Sequence, residues 1–322
     1  MRIAVVGAGA IGGWLGVKLA AAGNPVSVLA RGATLAALQN GSWCLKSAAS
    51  EIEARVTASE DPGALGKHEL VILAVKGPAI ATVASAAAQL LGAEGILLPA
   101  INGVPWWFTT IASGRLDARP LASIDPDGAI ARQLPVTRII GAVAHVSAAV
   151  EAPGLVRQVG GNGLIIGEPG GGASTRVSEV ASVLGAAGID VTMSSAIRND
   201  IWYKLWGNMT INPIAALTGA TADRILDEPL AESLICEVME EARRIGEEIG
   251  CVIAEDAKAR NAVTRKLGTF RPSMLQDAEA GRPMEVAALL EAPREIGGIL
   301  GLSTPALDGL LGLMRLKAAQ FT

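Results

Sequence analysis

Three groups of residues in this 322-residue chain combine reactive types with spacings that bring them together. The first lies in Asn-Asp-Ile-Trp-Tyr-Lys-Leu-Trp-Gly-Asn-Met-Thr-Ile-Asn-Pro, residues 199–213. Here Lys204, Asn208 and Asn212 recur every four residues, so on a helix they share one stripe. Their neighbours Leu205, Trp206, Met209 and Ile211 are apolar. An ammonium and two carboxamides in that setting need partners, and a bound polar substrate would supply them. A solvated helix face is the other reading, and spacing alone leaves the two level. Pro213 is expected to disturb the helix and free a backbone carbonyl.

The second group is Arg271-Pro272-Ser273-Met274-Leu275-Gln276-Asp277. Ser273 and Gln276 have the spacing of a capping box, so a plain helix start competes with a binding role. Gly281-Arg282-Pro283 breaks the chain. Glu285 follows in the first turn of a new helix, where the helix dipole favours its charge.

The third group is Gly7-Ala8-Gly9-Ala10-Ile11-Gly12, a G-x-G-x-x-G turn. It follows a short apolar strand, residues 2–6, and opens a helix, residues 11–22, that Gly23 stops. A second strand covers 25–31. This context makes the glycines a dinucleotide fingerprint. Gly7 permits the tight turn, Gly9 lets the backbone approach a pyrophosphate, and Gly12 lets the helix pack on the strand. The phosphates would meet free N–H groups at the helix start, around Ala10 and Ile11. The second strand ends in Ala30-Arg31-Gly32, where an NAD site usually carries Asp or Glu. A guanidinium cannot accept hydrogen bonds from a ribose diol but can grip a 2′-phosphate, so Arg31 points to NADP. A solvated strand-end arginine is the bland alternative.

The elements that position these groups alternate strand and helix through the first part of the chain. Residues 69–75 and 95–100 read as strands, with a helix from Pro78 to about Leu91 between them. Asn102-Gly103-Val104-Pro105 turns the chain into a short helix. Residues 139–146, 155–159 and 164–166 read as antiparallel strands, with Gly160-Gly161-Asn162-Gly163 as a hairpin turn. A loop at 168–172 precedes a helix near 174–187. After about Met193 no strand is expected, and 197–220, 228–250, 253–268 and 284–318 all carry helical patterning. The expectation is an α/β fold: a Rossmann-type dinucleotide-binding domain, residues 1–193, then an all-helical domain, residues 194–322.

Composition removes other classes. The net charge is −4 and no lysine- or arginine-rich block occurs, which argues against nucleic acid and anionic lipid as partners. Half the residues are apolar, but no run is long enough to span a bilayer. Lys18 interrupts the stretch that could pass for a secretory signal. Cys44, Cys236 and Cys251 lack metal-ligand spacing, and His68 and His145 are the only histidines. Free thiols in a reducing cytoplasm, and no metal, are expected.

In the order of these motifs the chain resembles the ketopantoate reductase family over nearly its whole length. The match runs through Gly7–Gly12, Lys76 after a strand, Asn102-Gly103, the Lys204/Asn208/Asn212-Pro213 stripe, Ser273–Asp277 and Glu285. The resemblance implies a Rossmann-type domain and a helical domain, with NADPH and a small 2-oxo acid substrate meeting between them. It implies Lys204 as catalytic acid and Glu285 as its carboxylate partner. It places Asn208, Asn212 and Ser273 at substrate, Lys76 and Asn102 near the nicotinamide, and Arg31 at the 2′-phosphate. The expected reaction is reduction of 2-dehydropantoate to pantoate, a step in pantothenate synthesis. Reduction of a different 2-oxo acid or ketone by the same residues is the runner-up, and a non-catalytic NADP-binding regulator comes third. Two departures bear on the substrate. Val286-Ala287 follows Glu285 where the family commonly has Ile-Asp, and Val104-Pro105 is followed by Trp106-Trp107. The tryptophans would either pack the domain interface or reshape the pocket for another 2-oxo acid. A monomer and a homodimer through the helical domain both fit.

Overall fold

A computed structural model describes residues 1–111, 116, 118–266 and 268–321. The chain forms two compact units, one of residues 1–101 and 129–197, the other of residues 102–128 and 198–322. The single boundary expected near residue 193 is therefore too simple. The chain crosses between units at 197/198, and the segment 102–128 belongs with the helices.

The first unit contains two sheets. In order along the chain the elements are β1 (Ile3–Val6), α1 (Ala10–Ala21), β2 (Val26–Leu29), α2 (Gly32–Asn40), β3 (Trp43–Lys46), β4 (Glu51–Ala54), β5 (Thr57–Ser59), α3 (Pro62–Leu65), β6 (His68–Leu73), α4 (Ile80–Leu90), β7 (Leu91–Pro99), α5 (Ala129–Gln133), β8 (Gly141–Ala152), β9 (Leu155–Gly167), α6 (Thr175–Ala186) and β10 (Asp190–Ser194). One sheet has the order β5-β2-β1-β6-β7 with every neighbouring pair parallel. Its central strands are buried along their length, as the unbroken apolar runs Ile3–Val6 and Leu70–Leu73 require of a sheet covered on both faces. The order reverses between β1 and β6. Ligands of such sheets bind beyond the carboxyl ends of the strands at that point.

The second sheet has the order β10-β9-β3-β4, with β8 antiparallel to β9. Helix α1 lies between the sheets and is buried nearly all round, which suits its apolar, glycine-rich sequence. A Cβ on Gly16 would sit 2.3 Å from the Trp43 ring, and one on Gly13 would sit 2.4 Å from Val156. The alanine and glycine bias of the segment is thus what lets a helix fit between two sheets.

The hairpin expected at Gly160–Gly163 is not there. Residues 155–167 form one strand, and the β8–β9 turn is Pro153-Gly154, with Gly154 at φ +77°. Proline fixes the first corner of such a turn and glycine takes the positive φ of the second. Gly161, at φ +70°, lies instead where the β8–β9 register shifts, at a bulge. Strands β3, β4, β5 and β10 were not anticipated. They are three to five residues long, and β4 and β10 are mostly exposed, so neither carries a strong apolar signal.

The second unit is built from α7 (Ile197–Thr218), α8 (Ala222–Asp227), α9 (Pro229–Glu248), α10 (Ala257–Arg265), α11 (Ser273–Glu279), a π turn (Ala287–Glu291), α12 (Ala292–Leu300) and α13 (Pro305–Ala318). The expected helix over 253–268 includes residue 267, which lies outside the described residues. The pattern at 284–318 is split: α12 is capped by Gly301, φ +72°, and α13 starts afresh at Pro305 behind the N-cap Thr304. Helix α7 docks on α9 through two indoles. Trp202 Nε1 donates to the Ala242 carbonyl at 3.2 Å and Trp206 Nε1 to that of Met239 at 2.6 Å. Phe108 stacks on Trp202 with ring centroids 5.9 Å apart. Among the described residues no helix is long and apolar enough to cross a membrane.

Candidate active site

The candidate dinucleotide-binding residues lie in the first unit. Gly7 directly follows β1 at φ +100°, and a Cβ there would come within 2.9 Å of the Ala74 carbonyl oxygen just beyond β6. Both the backbone conformation and the neighbouring chain demand glycine. A Cβ on Gly12 would lie 2.0 Å from the Gly7 carbonyl oxygen, so α1 can seat on the turn only without one. At Gly9 the requirement differs. A Cβ would meet nothing within 4 Å, so this side of the turn is open space. Gly9 is the N-cap of α1 and supplies no side-chain cap, and no acidic residue lies in the first turn. The N–H groups of Ala10 and Ile11 begin a helix whose dipole favours an anion, which fits a pyrophosphate.

Arg31 lies two residues past the end of β2, as the N-cap of α2 rather than within a strand that runs to 31. Its side chain is exposed and makes no hydrogen bond or ion pair among the described residues. Lys76 is exposed and follows β6 at the start of a 3₁₀ turn, Gly77–Ala79.

The lysine and its partners lie in the second unit. Lys204, Asn208 and Asn212 all fall on α7, which continues past Pro213 to Thr218. Proline has no N–H, so the Met209 carbonyl lacks its helical donor, but the helix does not end there. Asn212 is only 6 % exposed, and among the described residues neither its carboxamide nor that of Asn208 makes a hydrogen bond. A buried amide in that condition is poised for a ligand.

Lys204 Nζ donates to Asn102 Oδ1 at 2.8 Å. This contact joins residues 102 positions apart and could not be read from local spacing. Burial pushes the Lys204 ammonium down from its usual 10.5 to about 8, and the carboxylate of Glu285 opposes that shift. Glu285 is 6 % exposed and stands just before the helical turns that begin at Val286. Its carbonyl accepts the Leu289 amide at 3.2 Å.

Ser273 is the first residue of α11, behind Pro272 as N-cap. The capping-box expectation fails, because α11 has no side-chain cap and Gln276 Nε2 donates to the Arg271 carbonyl at 2.9 Å. The Ser273 hydroxyl is therefore not spent on the helix start. Trp106 and Trp107 are each 1 % exposed, and Trp107 lies 6.5 Å from Phe108, ring to ring. They are packing residues of the second unit. Sequence reasoning missed the contact between Gly103 and the π turn, where a Cβ would lie 2.5 Å from the Ala288 carbonyl oxygen.

A lowered-pKa lysine hydrogen-bonded to a carboxamide, near a buried carboxylate and two unspent asparagines, can protonate an oxygen on which charge develops. The family model described as ketopantoate reductase PanE/ApbA matches residues 3–171, and its C-terminal counterpart matches 196–318. A 2-dehydropantoate 2-reductase of Mesorhizobium japonicum is 39 % identical over 99 % of this chain and 98 % of its own length. A crystal structure of a candidate ketopantoate reductase from Ralstonia solanacearum MolK2 superposes with a TM-score of 0.95 at 48 % identity, covering 99 % of this chain and 98 % of that one. A 2-dehydropantoate 2-reductase structure from Geobacter metallireducens GS-15 gives 0.85 at 27 %, covering 98 % and 99 %.

Proposed function

Because the chain belongs to the ketopantoate reductase family, and is an oxidoreductase acting on a CH–OH group with a nicotinamide dinucleotide cofactor, we propose that it reduces 2-dehydropantoate to pantoate with NADPH, as a step of pantothenate synthesis. The observation that carries this reading is the part-buried ammonium of Lys204, held by Asn102 and charge-paired to Glu285.

NADPH, when bound, supplies the hydride to the ketone carbon. The ketone oxygen then gains negative charge and needs a proton. Lys204 donates it, and its ammonium stabilises the developing alkoxide beforehand. With a pKa near 8, the lysine is still protonated at neutral pH and gives up its proton more readily than an exposed lysine. Glu285 keeps Lys204 charged and offers an acceptor to a substrate hydroxyl. Asn208, Asn212 and the Ser273 hydroxyl supply donors and acceptors to the substrate carboxylate and hydroxyl. On the cofactor side the Gly7–Gly12 turn takes the pyrophosphate and Arg31 the 2′-phosphate, with Lys76 and Asn102 toward the nicotinamide.

The test is NADPH oxidation with purified protein across a panel of 2-oxo acids. Ketopantoate should give the highest kcat/KM. Strong turnover of another 2-oxo acid with ketopantoate inert would transfer the site to that substrate. Lys204→Ala should leave NADPH affinity nearly intact and lower kcat severely. An unchanged kcat would remove Lys204 from the role of acid.

A further inference from the structure

Asn102 holds the Lys204 ammonium, and what holds Asn102 lies in the backbone of a distant turn. Between Ala287 and Glu291 the helix that follows Glu285 widens to a π turn. The Ala292 amide skips the Ala288 carbonyl and donates to that of Ala287. The next amide along the chain would be that of residue 293, which is proline and has no N–H. The Ala288 carbonyl is thereby released from its own helix. It accepts instead from the Val104 amide at 2.9 Å. The approach is so close that a Cβ on Gly103 would lie 2.5 Å from that oxygen, and Gly103 also sits at φ +76°. Farther along, the Ala122 and Ser123 amides donate to the Glu295 carboxylate at 2.7 and 2.8 Å, tying the same excursion to α12 a second time.

We propose that Gly103, Ala288 and Pro293 form a backbone latch that positions the Asn102 carboxamide on Lys204. The π turn serves here as a functional irregularity: it turns a helix carbonyl outward to fix a loop. In this arrangement each of the three acts through Asn102. The inference rests on the reading of Lys204 as the acid, but the latch itself is a matter of backbone geometry.

Gly103→Ala puts a methyl group on the Ala288 oxygen, and Pro293→Ala restores an amide that competes for the same carbonyl. With folding checked by circular dichroism, Gly103→Ala should lower kcat roughly tenfold to a hundredfold through misplacement of Asn102. Pro293→Ala should give a smaller loss in the same direction and carries the test if Gly103→Ala does not fold. Two readouts separate positioning from general damage. The ammonium loses an acceptor, so the pH at which activity falls on the alkaline side should move lower in both variants. In an Asn102→Ala background the latch substitutions should cost little more. An unmoved alkaline limb, or losses that add in full to that of Asn102→Ala, would overturn the latch. If Lys204→Ala keeps its rate, the acid reading has failed instead. The latch is then judged by NMR titration of the Lys204 ammonium, which needs no turnover: a pKa unchanged by Gly103→Ala or Pro293→Ala rejects it, and a lowered one supports it.

Discussion

Lys204 Nζ and Asn102 Oδ1 are 2.8 Å apart although the two residues are 102 positions apart in the chain. The bond places a neutral acceptor on a cation that burial is already pushing toward its neutral form. The lysine keeps one strong partner while its pKa falls into the range where proton transfer is useful.

The sign of the pH dependence follows. With Lys204 as the proposed acid, the protonated lysine is the active form, so kcat for ketone reduction should be full below about pH 8 and fall as pH rises through that value. Glu285 raises the Lys204 pKa through its charge. Glu285→Gln should therefore shift the alkaline limb to lower pH as well as slow the reaction. A pH–rate profile of wild type and variant decides it, and a limb that moves upward in Glu285→Gln would contradict the charge pairing.

Much of this was readable in the residues. The glycine turn, the strand before it and the helix after it were local, and so was the four-residue recurrence that puts Lys204, Asn208 and Asn212 on α7. What escaped was non-local or carried by backbone. The Lys204–Asn102 bond and the segment 102–128 joining the helical unit depend on tertiary folding. The π turn leaves no periodic signature, although Pro293 inside an apolar helical pattern was a visible warning. The Gly160–Gly163 error has a related cause. Glycine clusters mark turns and bulges alike, and only the pairing of β8 with β9 distinguishes them.

Arg31 offers a clean test of cofactor choice. Its exposed guanidinium stands at the head of α2, just past the strand that pairs with β1. Arg31→Ala should raise the KM for NADPH by roughly tenfold or more while leaving that for NADH nearly unchanged, since charge-assisted hydrogen bonds to a phosphate are worth about 1.5–3 kcal/mol. An equal loss for both cofactors would argue against the 2′-phosphate contact.

The seat of the glycine turn can be probed from behind. Gly16 faces the Trp43 ring at a distance that leaves no room for a methyl group. Gly16→Ala should destabilise the protein by about 1–3 kcal/mol, because ring and helix must separate in a tightly packed layer. Because the glycine turn proposed to take the pyrophosphate leads into α1, the same variant should also weaken NADPH binding. Urea unfolding and a cofactor titration on one preparation measure both, and unchanged stability would show that the layer yields more easily than the geometry indicates.

Glu241 should govern stability without affecting the chemistry. It is 5 % exposed, and its two carboxylate oxygens accept the Ala306 and Leu307 amides, each at 2.9 Å, at the start of α13. A buried carboxylate there meets both the free amides and the positive end of the helix dipole. Glu241→Ala strands two amides and opens a cavity, so a loss of about 2–4 kcal/mol is expected. Glu241→Gln keeps an acceptor oxygen and should lose less. In urea unfolding the midpoint should fall in the order wild type, Gln, Ala with little change in m. The KM for ketopantoate should stay near wild type in both variants. If the two variants were equally stable, the amides of α13 would have found other partners, and the carboxylate would not be what holds that helix to α9.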